Sequence, residues 1–470
     1  MARLLDLPNE LLILIASYFD SYMWKNELKS LCLTSKLLCS VSQPMLYTQF
    51  IREVQCQCCQ KTGPPSGRIV PLVLFIRTLI TRPDLAGHVR SAHMDAGEDE
   101  FDRDAILKAY LDAETIKVLA SGFQELQEDD RARWFMEAVS MMSNPCFVLF
   151  ASLVPNLERL ALTLEEEGMD GLEPLFTVWS SSGIEQPYLR NLKSLGIWDL
   201  SHSESDSLHC ISHAMTLPQL EYFALIGLNG GADGCPYFDF EPGSLNISNL
   251  HLLDACLDAD SLETIVAGCK CLEFFTYSGH NFDGNSMDIS CQFDPSELIP
   301  ILSSQKKNLQ TICCNLDWET ISPTRNQWKK LPKYGSFATF ENICHLEVDQ
   351  YPWDQRMQEL PPSLQCLTIR NISFSIFDTV KSLNRRTIQD PSRSIHGDLP
   401  NLRRLILEPR DRIPNGMLEV RKRFDFADVY ESTRVAEKFE EKCDMLLVIA
   451  EACTFHIEVK HEVWEWYMEY

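Results

Sequence analysis

The sequence feature that most constrains the fold is a leucine motif, L-x-x-L-x-L, that recurs through the body of the chain. It is found in nine segments: 155–162, 190–197, 218–225, 248–255, 270–277, 307–314, 341–348, 362–369 and 400–407. Leucines at this spacing predict a short strand whose alternate side chains enter a core. A single unit cannot bury its own leucines, so neighbouring units must stack on one another.

The segments between these motifs have helical patterns, and the fold class predicted is therefore α/β. The motif spacing varies from 21 residues (341 to 362) to 38 residues (362 to 400), which exceeds regular leucine-rich repeats at several steps. We therefore expect an irregular leucine-rich-repeat solenoid, or horseshoe, with parallel strands on its concave face. Residues 71–94 predict a helix and a strand near Val89 to Met94, and 104–153 predict a mostly helical insert. The alternative is a generic α/β domain with coincidental leucines.

Within each motif the third, fifth and seventh positions are expected on the concave face. Mixed aromatic residues and charges of both signs suit protein recognition better than contact with a phosphate backbone. The alternative for any one of them is a bare solvated sheet face. The candidate target-binding residues are Arg159, Trp198, Tyr222, Phe274, Thr276, His345, Glu347, Asp349, Arg370, Arg404 and Glu408.

The first fifty residues have a different pattern, which predicts three short helices. Pro8 is tolerated just before a helix and Asn9 is the expected N-cap. Apolar residues then follow at helical spacing, at Leu11, Leu12, Ile15 and Phe19.

A second helix is predicted for Glu27 to Leu33. Thr34 or Ser35 would cap a third helix, and Pro44 would stop it. A bundle of about 45 residues is near the lower limit for an independent core, so it should bury its remaining apolar surface against a partner.

This segment resembles the F-box family of fungal proteins. LPNELL at 7–12, Ile15 and LKSLCLTSKLLCSVSQPMLY at 28–47 match the family signature in order: LPxEL, a helix, LxLTSKxL and PxLY. The stretch 71–94 also resembles the degenerate first repeat of such proteins. An ordinary helical subdomain is the alternative.

The resemblance implies that the helices bind a Skp-type adaptor, which connects to a cullin–RING ubiquitin ligase. The residues that would form or support the adaptor face are Leu7, Pro8, Leu11, Leu12, Ile15, Leu31, Leu33, Leu37 and Pro44. The expected organisation is an F-box at 1–50, a linker loop at 51–68, the solenoid at 69–412 and a helix–strand cap at 413–470. In the cap, 454–459 alternates like a strand, and the aromatic tail from Trp464 to Tyr470 would cover the open edge or bind a partner.

Charge and cysteine content narrow the partners and the compartment. The 42 basic and 67 acidic residues give a net charge of −25, which argues against nucleic acid and anionic membranes. No stretch approaches the roughly 18 apolar residues of a membrane span. The 18 cysteines are too sparse for a disulfide scaffold, and the first apolar run follows acidic rather than basic residues. We expect an intracellular protein, cytoplasmic and/or nuclear, with free thiols.

Three patterns suggest a cofactor or metal, and each has a plainer interpretation. Cys56, Cys58 and Cys59 contain one C-x-x-C, but His88 and His93 follow too far away for a zinc finger. His209 and His213 share a helix face without the glutamate of H-E-x-x-H, which favours a partly exposed helix. Segment 227–234, GLNGGADG, lacks the phosphate-loop lysine and favours an inserted loop. We therefore predict no cofactor and no metal.

The sequence thus favours a non-catalytic substrate receptor of an SCF-type ubiquitin ligase, with an unidentified protein target. One alternative is a protein-binding scaffold whose adaptor contact does not lead to ubiquitylation. Another is an enzyme with an unrecognised site in the insert at 104–153.

Overall fold

The computed structural model describes most of the repeat motifs and the first helices. The described residues are 7–19, 24–51, 70–95, 113–123, 143–164, 188–199, 206–228, 238–279, 295–315, 333–349, 360–372, 399–409 and 456–459, with Leu172, Leu175, Val380 and Leu383. The chain divides into two compact units, Met1–Ile247 and Ser248–Tyr470. The structure is mixed α/β, as the sequence predicts.

In its described residues, the first unit contains three N-terminal helices and then further helices interspersed with five parallel strands. Its elements are α1 (Asn9–Ser17), α2 (Lys25–Thr34), α3 (Lys36–Leu46), β1 (Gln49–Ile51), α4 (Val70–Thr81), α5 (Pro83–Ala86), β2 (Ser91–Asp95), α6 (Ala113–Phe123), α7 (Ser143–Leu153), β3 (Arg159–Leu164), β4 (Ser194–Asp199), α8 (Asp206–Met215) and β5 (Tyr222–Ile226). Each strand pairs in parallel with the next along the chain, from β1 to β5.

The described part of the second unit has the same pattern, with seven parallel strands. Its elements are β6 (Asn249–Ala255), α9 (Ala259–Gly268), β7 (Phe274–Gly279), α10 (Leu298–Leu302) between 3₁₀ turns at Pro295–Glu297 and Ser303–Gln305, β8 (Thr311–Asn315), β9 (His345–Asp349), β10 (Cys366–Ile372), β11 (Arg404–Pro409) and β12 (His456–Val459). Consecutive strands from β6 to β12 again pair in parallel. Among the described residues, no helix is long and apolar enough to cross a membrane.

All nine leucine motifs lie at strands, β3 to β11, and their apolar positions form layers in the core. In the first unit the layers are Leu157, Leu192 and Leu220; Leu160, Leu195 and Phe223; and Leu162, Ile197 and Leu225, all buried. Alternation puts the remaining strand residues on the opposite face, as in β3, where Arg159 is exposed and Ala161 and Thr163 are half-buried while the leucines between and after them are buried. The strands near Met94 and at 454–459 are also confirmed, as β2 and β12.

A repeated hydrogen-bond arrangement places the start of nine of the described strands, β2 to β5 and β7 to β11. One backbone carbonyl just before or at the start of a strand accepts two N–H groups from the residues that begin the next strand. The Glu158 carbonyl accepts from Lys193 and Ser194, at 2.8 and 3.0 Å, and the Gln310 carbonyl accepts from Cys344 and His345, at 2.8 and 3.1 Å. These bonds fix the register of two neighbouring strands ahead of the first hydrogen bond of their β-sheet pairing.

Asparagine side chains reinforce this arrangement at the turn before the strands. Asn156 Nδ2 donates to the Gly87 carbonyl at 2.9 Å, and Asn191 Nδ2 donates to the Pro155 carbonyl at 2.9 Å. Three later asparagines make the equivalent bond: Asn246 to Pro218, Asn342 to Lys307 and Asn401 to Pro362. We call these five residues the asparagine ladder. Their side chains donate hydrogen bonds to turn carbonyls that are not used in the pairing of the strands.

The predicted register is wrong by three residues at β6. The Ser248 carbonyl, not a later one, accepts from Glu273 and Phe274, and Asn246 occupies the ladder position. The repeat there therefore begins at Leu245 rather than at Ser248. Both registers place apolar residues at motif positions, and the hydrogen bonds decide between them together with the burial of Leu250 and Leu252, since Leu253 is only half-buried.

Two details of the first helices also differ from expectation. Asn9 is the first residue of α1, with Pro8 in the cap position and no side-chain cap. Pro44 does not stop α3, which ends at Leu46. A proline near the end of a helix removes only one amide donor, and the Tyr47 amide still reaches the Gln43 and Pro44 carbonyls at 3.2 Å. The cap of α3 is Ser35, which accepts from Leu38 N at 3.2 Å.

Strand β1 was not predicted, and it follows α3 almost directly. Within 104–153, where a helical insert is predicted, the described residues form α6 and α7. The helix and the aromatic tail expected in 413–470 lie outside the described residues.

Candidate docking surfaces

A small apolar core fixes the orientation of α1 on the other two N-terminal helices. Leu12, Ala16, Leu38 and Val41 are buried together. The partly buried side chains packed on this core are Leu7, Leu31, Leu37 and Met45. Because Leu12 and Ala16 lie four residues apart, one face of α1 is fully committed to the core.

A second face of α1 is apolar and exposed. Leu11, Leu14 and Ile15 are 44%, 51% and 37% exposed, and Tyr18 is 78% exposed. These four residues recur at i, i+3, i+4 and i+7, which places them on one side of the helix. We call them the α1 surface; Ile13, 46% exposed, lies outside it on the remaining side.

The nine predicted adaptor residues therefore fall into three groups. Pro8, Leu11, Ile15 and Leu33 are exposed, and Leu33 is 88% exposed. Leu7, Leu31, Leu37 and Pro44 are half-buried. Leu12 is 2% exposed and supports the surface from within. Leu14 and Tyr18 are missing from the predicted list. The run LLILI at 11–15 is a signal for Leu14, because a helix cannot bury the side chains of five consecutive apolar residues.

An open groove runs beside α2. It is lined by Phe19, Asn26, Glu27, Ser30, Leu31 and Thr34. At the same end, Phe19 and Trp24 contact edge to face with ring centroids 6.1 Å apart. Trp24 is 44% exposed, so apolar surface continues from α1 towards α2.

An aromatic cluster joins the helices to the first strands within the first unit. Phe75 of α4 stacks on Phe50 of β1 at 4.6 Å and on Tyr47 at 5.6 Å. Phe150 of α7 contacts both Phe50 and Phe75 at 6.1 Å. Because aromatic contacts add to burial, the cluster attaches the N-terminal helices firmly to β1 and its neighbours.

On the sheet of the first unit, Trp198 covers Gly196. Ala161, Gly196 and Ala224 are register partners on β3, β4 and β5, and none has a side chain larger than methyl. The indole of Trp198 also reaches His93, at 5.9 Å between ring centroids, and His93 contacts the Thr163 hydroxyl at 3.3 Å. Arg159 and Tyr222 lie on the same face, as predicted, with Arg159 exposed and Tyr222 half-buried.

On the sheet of the second unit, the predicted face carries an ion pair. Arg370 binds Glu347 at 2.6 Å, with the two side chains 32% and 14% exposed. His345 contacts the Thr368 hydroxyl at 3.3 Å. Burial, with a smaller contribution from Glu347, raises the pKa of the neighbouring Cys313 thiol.

The other predicted residues of this face vary in exposure. Phe274 and Thr276 are half-buried, and Arg404 is exposed. Asp349 is 1% exposed, so its carboxylate is unavailable to a large partner. The side chain of Glu408 lies outside the described residues. Burial also lowers the pKa of His251, on β6 beside Thr276, to about 4, so this imidazole is neutral.

In the described part of the chain, the residues of the candidate metal and phosphate patterns do not come together in one site. Among the described residues no three histidine, cysteine, aspartate or glutamate side chains group around a common point. The C-x-x-C at Cys56 and Cys59 and most of the loop 227–234 lie outside the described residues. His209 and His213 do lie together on α8.

Neither a protein-family model nor a curated protein sequence matches this chain.

Proposed function

We propose that this chain is the substrate-recognition subunit of an SCF-type cullin–RING ubiquitin ligase. Its N-terminal helices bind a Skp-type adaptor, and through it the cullin, while the repeat strands hold a target protein. The observation that carries this proposal is the α1 surface, because it presents four large apolar side chains to water.

An exposed apolar stripe of this size is informative because single exposed leucines are common but clustered ones mark contact sites. Each large apolar side chain contributes about 1.5–3 kcal/mol when it is fully buried. The core of the three helices is already occupied by Leu12, Ala16, Leu38 and Val41. The α1 surface therefore gains most from a second protein, and the F-box resemblance of 7–47 supports a Skp-type adaptor as that protein.

The target would bind the sheet faces. Trp198, Tyr222 and Phe274 supply aromatic anchors, and Arg159, Arg404 and the Glu347–Arg370 pair supply charges of both signs. Aromatic residues and arginine dominate binding energy in protein interfaces. The net charge of −25 favours a neutral or basic target over an acidic one.

The chain itself would not be an enzyme and would need no cofactor. Its contribution is proximity, since holding a target lysine near a charged ubiquitin enzyme raises the effective concentration of the reacting groups. The aromatic cluster around Phe75 would transmit this positioning from the helices to the first strands.

Binding of purified adaptor tests the first half of the proposal. The double variant Leu11→Asp with Ile15→Asp places two charges on the α1 surface and leaves the core residues intact, so adaptor capture should be lost. Leu74→Asp is the matched control, because Leu74 is a 37% exposed leucine on α4 that is not part of the α1 surface. Failure of the wild type to bind adaptor, or equal binding by the double variant, overturns the proposal.

Target turnover tests the second half. Proteins captured by the wild type under proteasome inhibition should also be captured by the double variant, and in cells they should accumulate when it replaces the wild type. Capture with unchanged target levels would instead indicate a scaffold. The double variant is preferable to deleting residues 1–50, because that deletion would remove part of β1.

A further inference from the structure

Helix α8 carries two histidines one turn apart, and their ring nitrogens converge. His209 Nε2 and His213 Nε2 are 3.2 Å apart. The ring centroids are 4.5 Å apart and the ring planes cross at 82°. His209 is exposed and His213 is half-buried, so the pair opens to solvent.

The helix beneath the pair is held in place on its other side. Its buried residues are Leu208, Cys210, Ile211, Ala214 and Met215. Two hydroxyls also fix the backbone at the histidines: Ser212 donates to the His209 carbonyl at 2.8 Å, and Thr216 donates to the His213 carbonyl at 2.7 Å. Because the backbone is fixed, little freedom is lost when the two rings share a ligand.

The distance between the nitrogens matches a shared metal ion. Two imidazole nitrogens bound to tetrahedral zinc at about 2.0–2.1 Å lie about 3.3 Å from each other. We propose that His209 and His213 form a site for a divalent transition-metal ion, with zinc as the best-fitting member of the class. Sequence spacing alone places both histidines on one face, and the structure adds that their Nε2 atoms converge to the separation that a shared ion requires.

The electrostatic setting also favours a cation. His213 lies in the last turn of α8, where the helix dipole stabilises positive charge. The net charge of −25 raises the concentration of cations around the protein. Two protein ligands leave two tetrahedral positions for water or for a side chain of a partner, so this is an open, exchangeable site rather than a closed structural one.

Zinc titration of the full chain, followed by calorimetry, tests the site. Accessible thiols are alkylated first, because cysteines also bind zinc. Wild type should bind one more zinc ion per chain than His209→Gln with His213→Gln, and each single variant should weaken that site at least about tenfold. Glutamine keeps good helix propensity, so α8 should persist.

His88→Gln is the matched control, since it removes an exposed imidazole outside α8 and should leave zinc binding unchanged. Equal zinc stoichiometry and affinity in wild type and the double variant would overturn the proposal, and the two rings would then form only an imidazole–imidazole hydrogen bond.

Discussion

The indole of Trp198 occupies the space that a side chain on Gly196 would need. A Cβ on Gly196 would lie 2.8 Å from indole Cζ3 and 2.9 Å from Cη2. The absence of a side chain at Gly196 therefore decides how an aromatic residue of the predicted target face is presented.

Gly196→Ala should displace the indole and lower the free energy of unfolding by about 1 kcal/mol, because overpacking is destabilising. In a Trp198→Ala background the same change should instead stabilise by about 0.5–1 kcal/mol, since alanine suits a strand better than glycine. Urea unfolding of the four proteins of this double-mutant cycle measures the coupling. The same sign in both backgrounds would contradict the contact.

Asn156→Ala should lower the free energy of unfolding by about 1 kcal/mol, because the Gly87 carbonyl loses its side-chain donor. Denaturant titration measures the change. Asn26→Ala, on the exposed side of α2, is the control and should stay within about 0.5 kcal/mol of wild type. Equal effects of the two substitutions would show that the asparagine ladder is not a stabilising element.

Leu12→Ala should lower the free energy of unfolding by about 2–5 kcal/mol, because it opens a cavity in the core of the N-terminal helices. Leu33→Ala should change stability by less than about 0.5 kcal/mol, because Leu33 is 88% exposed. Helical circular dichroism during urea titration reports both. The reverse order of effects would mean that α1 is packed through a different face.

His251 should make the protein less stable in mild acid. Its pKa in the folded state is about 4, below the ordinary imidazole value of 6.5, so the unfolded chain binds more protons between these values. Stability is therefore fully present above about pH 6.5 and falls by about 2 kcal/mol between pH 7 and pH 5. His251→Gln should reduce this loss, measured by urea unfolding at the two pH values; an unchanged pH dependence would contradict burial of the imidazole.

Cys269 and Cys271, two residues apart, should differ sharply in alkylation. Burial raises the pKa of the Cys269 thiol to about 12, while Cys271 is exposed. Because the thiolate is the nucleophile, iodoacetamide should modify Cys271 in the native protein and Cys269 only after unfolding. Mass spectrometry of the digested protein reads both sites. Cys146, buried with its pKa also raised to about 12, should behave like Cys269.

The sequence predicted the strands well because alternating apolar residues directly encode a buried face. The leucine motifs located β3 to β11. They also identified which strand residues lie on the face opposite the leucine core, including Arg159 and Tyr222. They misplaced the register at β6, because Leu250 satisfies the leucine pattern in either alignment, followed by Leu253 in the predicted one and by Leu252 in the observed one. The asparagine ladder escaped prediction, since its acceptors are carbonyls 28 to 69 residues earlier in the chain.

The candidate surfaces were predictable only in part. Helical spacing identified Leu11 and Ile15, but it could not separate the exposed Leu11 from the buried Leu12, because that depends on where α3 packs. Position along a strand predicted that Asp349 would face a partner. Its burial depends on neighbouring strands and loops that a single motif does not encode.

The paired amide bonds that begin most of the described strands have a consequence for how such a chain tolerates insertions and deletions. The start of such a strand is fixed by a single carbonyl just before or at the start of the preceding strand. The length of chain between the two strands does not enter this contact. Loops and helices on the outer side can therefore lengthen or shorten while the spacing between strands stays constant. Evolution or protein engineering can therefore substitute residues on the face of the sheet opposite the leucine core while the backbone positions of the strands stay the same.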